Sequence, residues 1–362
     1  MTKQRYNIKE SLNRILRLLQ GTPIPLDTPG TVTGVVDSED EAMSQLAELL
    51  ADSLPGEVLT LPTAARNAVS NAGFMRGGWA GGYDLYVNPN HASASDSNTG
   101  RNPDKPLATI QRGITLGRAM SGDTIHVIQN DGWTYGSGLG DTITETVVVT
   151  NTKPGLRIVG EGAGSMGVNW TAGVTGTFCL TINAIDTVVE GFNFWGEPVD
   201  CHGILCQWNG VTTYGENSII RSNTFADSID IGIQLEYSWY ANVVGNHFQE
   251  CDDYAIYVDP TGDGIAYTQI LGNWFDDCAY AMALDDCDNG LIANNMIYNS
   301  DAQATGTATN RGINTAAGSG NMVANNFFSC ILGNWDTFNS SSATDAWVGN
   351  RVMDGEPTAR PE

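Results

Sequence analysis

Seven segments between residues 188 and 352 repeat one pattern: two or three apolar residues, a small residue that is usually Asn, any residue, then a large apolar residue. They are Val188-Val189…Phe194, Ile219-Ile220…Asn223-Thr224-Phe225, Val243-Val244-Gly245-Asn246-His247-Phe248, Ile270-Leu271-Gly272-Asn273-Trp274-Phe275, Leu291-Ile292-Ala293-Asn294-Asn295-Met296, Val323-Ala324-Asn325-Asn326-Phe327 and Val348-Gly349-Asn350-Arg351-Val352. Read as Asn223, Asn246, Asn273, Asn294, Asn325 and Asn350, the recurring amide returns after gaps of 23, 27, 21, 31 and 25 residues. That period is too long for a hairpin meander and too irregular for helical solenoids of fixed repeat. It suits a coil of three short strands joined by loops of variable length, a parallel β-helix. Asn at a buried bend can hydrogen-bond up and down the ladder, which meets the backbone's need for partners there.

A second strand recurs in the same coils: Ile204-Leu205-Cys206-Gln207, Ile233-Gln234-Leu235-Glu236, Ile256-Tyr257-Val258-Asp259 and Met282-Ala283-Leu284-Asp285. Strand alternation puts the first and third residues inside and the second and fourth outside. Cys251, Cys278 and Cys330 each follow a coil's Phe by three residues, with Ser228 in the same place. This reads as a small-residue stack in the core. The seven cysteines form no CxxC pair, so reduced, packed thiols are expected; Cys201-His202…Cys206 also reads as packing, and no metal or cofactor is expected.

Charge divides the chain. In residues 1–20 five cations stand against Glu10 alone, a net +4, so the remaining 342 residues carry −28 of the total −24. Ile8, Leu12, Ile15, Leu16 and Leu19 mark a basic amphipathic helix over 1–21, for which three readings stand: packing on its own protein or a sister chain, a peg docking into a larger assembly, or a membrane-surface helix. Residues 22–82 read as a linker and helical adaptor, with Ser38 and Glu41 as a capping box. The β-helix follows over 83–352, with a flexible tail at 353–362. The acidic balance excludes a nucleic-acid footprint, and no apolar run is long enough for a membrane span. The first residues lack the apolar core of a signal peptide.

The stretch Leu85-Tyr86-Val87…Ser95-Asp96-Ser97-Asn98-Thr99-Gly100…Pro106-Leu107-Ala108-Thr109-Ile110-Gln111-Arg112-Gly113-Ile114…Gly122-Asp123-Thr124-Ile125 resembles the opening segment of right-handed parallel β-helix proteins of the pectate-lyase-like superfamily. Gly113 stands where that superfamily often has Ala. The resemblance implies an all-β, right-handed, single-stranded parallel β-helix, with a capping helix at 107–119 closing one end of the core and short helices confined to the N-terminal region. It implies no one activity, because the fold hosts lyases, glycosidases, phage tailspikes and inert virion parts. The Arg/Lys cluster beside Asp residues that pectate lyases use for calcium and proton abstraction has no counterpart here.

One constellation comes from the aligned coils themselves. The outward fourth position of the second strand holds Gln207, Glu236, Asp259 and Asp285, placing three carboxylates in a row about 4.8 Å apart. Such a row suits a general acid beside a base, with spacings near those of retaining or inverting glycosidases. Trp208, Tyr237, Trp239, Tyr240 and Tyr257 lie around it, and flat aromatic faces stack on sugars. Three readings stand: a hydrolytic site on Glu236, Asp259 and Asp285, glycan or cation binding without chemistry, and a solvated acidic face.

Peg, adaptor, reduced cysteines and repeat shaft together resemble a bacteriophage virion protein, a tailspike or a capsid-decorating head fibre. Such a protein would be attached to other virion proteins through residues 1–75, exposed on the particle, and able to contact host polysaccharide. A homotrimer is expected, because the weakly capped end at Trp347, Val348 and Val352 would gain protection from neighbours. The alternative is a polysaccharide-degrading glycosidase or lyase.

Overall fold

The computed structural model describes residues 82–129, 142–162, 167–196, 201–207, 215–227, 229–258, 264–299, 311–315, 318–330, 338–339 and 344–352. The helical peg, nearly all of the adaptor, the C-terminal tail, Ser228, Trp208 and Asp259 lie outside these residues.

Every strand pair in the described residues is parallel, and the chain winds as a right-handed solenoid. Three sheets run along its axis. Sheet 1 has ten strands, from Asp84–Val87 to Ala346–Val348; sheet 2 has nine, from Ile143–Thr144 to Arg351–Val352; sheet 3 has eight, from Val147–Val149 to Phe338–Asn339. One coil visits them in turn, as Ile219–Arg221, Thr224–Ala226 and Ile231–Leu235 show. A parallel strand needs a crossover to return beside its predecessor, and here the other two sheets supply it.

The corner between sheets 1 and 2 is built from two positions. The first is left-handed, occupied by Ser222, Gly245, Gly272, Asn294, Asn325 and Gly349 with φ between 54° and 68°. The second is an inward Asn whose amide ties three coils. Asn246 donates its backbone N–H to Asn273 Oδ1 at 2.9 Å, and its Nδ2 to the same oxygen at 3.1 Å and to Ile220 O at 2.9 Å. The ladder runs Asn223, Asn246, Asn273, Asn295, Asn326, Asn350. In each Asn-Asn pair the second residue is therefore the ladder member, and Asn294 and Asn325 are the left-handed residues; the spacings are 23, 27, 22, 31 and 24.

This one-residue shift turns side chains over. Ile297 and Phe328 align with Phe275 inside, whereas Met296 and Phe327 align with Trp274 outside. Cys330 pairs with Asn299 and falls out of the column formed by Cys251 and Cys278, so the expected cysteine stack does not extend to it. The six cysteines whose side chains are described, Cys179, Cys201, Cys206, Cys251, Cys278 and Cys287, are buried and not disulfide-bonded.

The interior is a pile of aromatic rings. Phe194, Phe225, Phe248 and Phe275 stack at 4.9, 4.8 and 4.9 Å, the spacing of the coils themselves, and Trp170 continues the pile at 5.4 Å from Phe194. Sheet 3 puts Ile204, Ile233, Ile256 and Met282 in one buried row as expected, whereas at the second position, expected outside, Leu205, Gln234 and Ala283 are buried too and Tyr257 is partly exposed.

The capping helix, α1, spans Ile110–Leu116 and is shorter than the 107–119 expected. Leu107 is taken by a bridge to Val87, Thr109 is the N-cap, and the backbone leaves the helix at Gly117. Its first turn is satisfied by carboxylates: Asp96 accepts from Ala108 and Thr109, and Glu145 accepts from Ile110 and Gln111 at 2.9 Å. Gly113 faces the core, where a Cβ would sit 3.0 Å from Ile125 Cγ2 and 3.1 Å from Val87 Cγ2, which accounts for glycine at this position.

The corner gives a paired prediction. Asn295→Ala removes the acceptor of two bonds from Asn273 and the donor to Ile270 O, leaving buried backbone unpaired, and should cost on the order of 3 kcal/mol. Asn294→Gly, at φ 57°, keeps the required backbone conformation and should stay within about 1 kcal/mol of the parent. Denaturant unfolding of both variants checks this, and equal effects would contradict the ladder assignment.

Candidate functional site

Sheet 3 presents its outward residues as rows. One row reads Phe178, His202, Ile231, Tyr254, Tyr280 and Arg311 by register; the next reads Thr181, Leu205, Gln234, Tyr257, Ala283 and Asn314. The tyrosines pack on each other, Tyr254 against Tyr257 at 4.6 Å and against Tyr280 at 5.0 Å. At the strands' C-terminal ends lie the acids. Leu235 pairs with Val258 and Tyr257 with Ala283, so the register sets Glu236 and Asp285 two coils apart, about 9.6 Å along the axis. Each acid is engaged by a neutral amide on the same face: Gln234 Nε2 donates to Glu236 at 2.6 Å, and Asn314 Nδ2 donates to Asp285 at 2.6 Å.

The expected aromatic residues divide between two places. Tyr257 lies on the sheet 3 face. Tyr237, Trp239 and Tyr240 lie in the turn that leads from sheet 3 back to sheet 1, where Tyr240 stacks on Tyr267 at 5.1 Å with both rings nearly half exposed. Tyr237, Tyr240 and Tyr267 all have left-handed backbones, which cost a non-glycine residue roughly 1–2 kcal/mol each. Sequence reasoning missed Tyr254, Tyr280 and Tyr267 and the amides Gln234 and Asn314. The first two stand at one position of successive coils, a signal available in the repeat; Tyr267 sits in the bend after a short strand, Ile265–Ala266, outside the pattern.

At the other edge of sheet 3, the His202 ring packs tilted against Phe178 at 4.7 Å and its Nδ1 lies 3.7 Å from Asp230. Burial holds its pKa below the ordinary imidazole value although Asp230 and Asp253 pull the other way. His247, stacked on Trp274 at 4.7 Å, is lowered by burial alone. A ring that is neutral when folded takes up a proton on unfolding. Stability from these two groups is therefore complete above about pH 6.5 and falls as the pH drops toward their folded pKa values.

These features define a right-handed parallel β-helix protein with stacked tyrosines on one outer face. The family model for NosD, the periplasmic copper-binding protein, matches residues 116–335, and the chain belongs to that family. Among solved structures, the Dettilon tailspike protein is 12% identical with a TM-score of 0.43, over 81% of this chain and 53% of that one. The Eubacterium ramulus GH136 lacto-N-biosidase is 12% identical with a TM-score of 0.46, over 86% of this chain and 62% of that one. The ORF18 protein of Geobacillus virus E2 is 14% identical with a TM-score of 0.38, over 81% of this chain and 64% of that one. The chain thus spans 53% to 64% of the length of these three proteins, and the likeness is one of fold.

Copper does not fit the described residues. It calls for convergent thiolate, thioether or imidazole donors, and no group of three His, Cys, Asp or Glu side chains there could hold a metal ion. The six cysteines with described side chains are buried in the packed core, His126 is hydrogen-bonded to Asp84 and Glu161, and His202 packs on Phe178.

Calorimetry tests the histidine reading. The melting temperature should fall between pH 6.5 and about 5.5, where ordinary carboxylates stay ionised. The His202→Gln, His247→Gln double variant should flatten that slope, and a flat profile in the parent protein would contradict it.

Proposed function

We propose that this chain is the β-helical part of a bacteriophage virion protein, a tailspike or capsid-decorating head fibre. In this reading it is a homotrimer, attached to the particle through residues 1–75 and exposed at the particle surface. Its sheet 3 face contacts host polysaccharide without cleaving it. The observation that carries the binding reading is the chemistry of that face. Tyr254, Tyr257 and Tyr280 form a partly exposed column of stacked rings, and the acids beside it are hydrogen-bonded to amides. Aromatic rings with planar amides and carboxylates match a sugar's apolar faces and hydroxyl groups. The charge split supports the attachment reading, because a +4 segment of 20 residues precedes a body carrying −28.

A second reading keeps Glu236, Asp259 and Asp285 as a hydrolytic site. It is favoured by the two-coil separation of Glu236 and Asp285, which falls near the roughly 6.5–9.5 Å range of inverting glycosidases. Asp259 is the middle member by sequence register and the first to replace. A panel of host polysaccharides separates the readings. Binding without release of reducing ends, weakened at least about tenfold by Tyr257→Ala, is the expected result. Release of reducing ends that Asp259→Asn abolishes would replace it with the hydrolytic reading, and no polysaccharide binding at all would overturn glycan contact. Deleting residues 1–75 should leave a folded, β-rich protein that no longer enters particles; incorporation without these residues would overturn the attachment reading.

A further inference from the structure

The two halves of sheet 1 differ outside. In the early coils polar partners alternate along the ladder: His126 lies between Asp84 and Glu161, at 3.0 and 2.6 Å, and Glu190 forms ion pairs with Arg157 and Arg221. From Asn242 onward this stops. The first and third residues of five consecutive strands, Asn242–Val244, Gln269–Leu271, Leu291–Ala293, Met322–Ala324 and Ala346–Val348, include no Asp, Glu, Lys or Arg. Around the corner, the first outward row of sheet 2 continues the same character with Trp274, Met296 and Phe327 before ending in Arg351.

Ala293 and Ala324 are buried, but four of the larger apolar side chains stand open among the described residues. Trp274 is 46% exposed, Met296 40%, Met322 46% and Val348 54%, a concentration of large apolar side chains on consecutive coils that single surface hydrophobes do not produce. The strip lies on a convex edge, with Leu271 and Trp274 on either side of the corner.

We propose that this edge is where copies of the chain meet, three around an axis parallel to the solenoid. Each copy gives its sheet 1 strip to one neighbour and its sheet 2 row to the other. Three observations select further copies as the occupant. The chain carries −24, so copies repel wherever acids face each other, and this strip is a face on which they can approach without that cost. The rows recur once per coil, and a second solenoid brings rows of the same repeat, so one register satisfies every coil. A patch wrapped over a convex edge has two faces, and a single flat partner covers only one of them, whereas three copies around the edge cover both. The inference rests on the trimeric reading above and assigns its surface.

The test uses the full chain. Sedimentation should show a trimer for the parent protein. Trp274→Glu and Met322→Glu should each shift it to monomer at micromolar concentration with unchanged circular dichroism, while Thr124→Glu in the ion-paired half should leave the trimer intact. Because a charged variant can disturb folding, a second measurement uses milder changes. Met322→Cys protomers mixed with Met296→Cys protomers, refolded together and mildly oxidised, should give a cross-linked pair joining the two faces. A monomeric parent would overturn both the trimer and this surface. A trimer that survives both glutamates, or that yields no mixed cross-link, would overturn the surface alone and leave the trimeric reading standing.

Discussion

Hydrogen bonds between successive coils at the corner of sheets 1 and 2 hold the rest of the molecule in register. A parallel coil must turn sharply at each corner, and a turn buried against the next coil leaves amide groups without water. One Asn per coil answers this by accepting from a backbone N–H of the coil before it and donating to a carbonyl three residues earlier in that same coil. Asn223 to Asn350 form a continuous chain of such bonds. Since each amide polarises the next, the ladder gains from being unbroken. Its spacing also matches the aromatic pile beside it, where Phe225, Phe248 and Phe275 repeat at nearly the same distance.

Once the register is held, any outward position becomes a row. The same geometry that stacks Phe on Phe inside stacks Tyr254 on Tyr280 outside, sets charges beside opposite charges in the early coils, and lines up Trp274 with Met296. Each coil touches only its neighbours, so the three outer faces can diverge without disturbing the core. Sheet 3 carries aromatics, amides and acids, early sheet 1 carries paired charge, and late sheet 1 is neutral.

How much of this could be read from the chain follows from what repeats. The inward residues repeat because the core demands it, so the three-strand coil, the inward row of sheet 3 and the capping helix were all visible in the residues. Errors arose where two adjacent residues satisfied one rule. Asn294-Asn295 and Asn325-Asn326 each offer two amides, and both left-handed backbone and inward ladder favour Asn. Choosing the first of each pair turned Met296 and Phe327 inward and hid the exposed strip. The candidate site was less legible than the fold. Glu236 and Asp285 fall at equivalent positions as expected, but amide partners such as Asn314 depend on pairing across a loop of variable length that the local pattern does not encode.

Membership in a family named for copper binding and the absence of a fitting donor set among the described residues are compatible on these grounds. A match over residues 116–335 of a solenoid rewards what recurs from coil to coil, which is the inward apolar residue, the turn and the Asn. Donors for a soft metal would have to sit at one place on an outer face, at positions the repeat leaves unconstrained. Chains that share every inward position can therefore differ wholly in what they hold. In this chain the positions that the core leaves free carry stacked tyrosines on one side and a neutral apolar edge on another, and its described cysteine thiols serve as core packing.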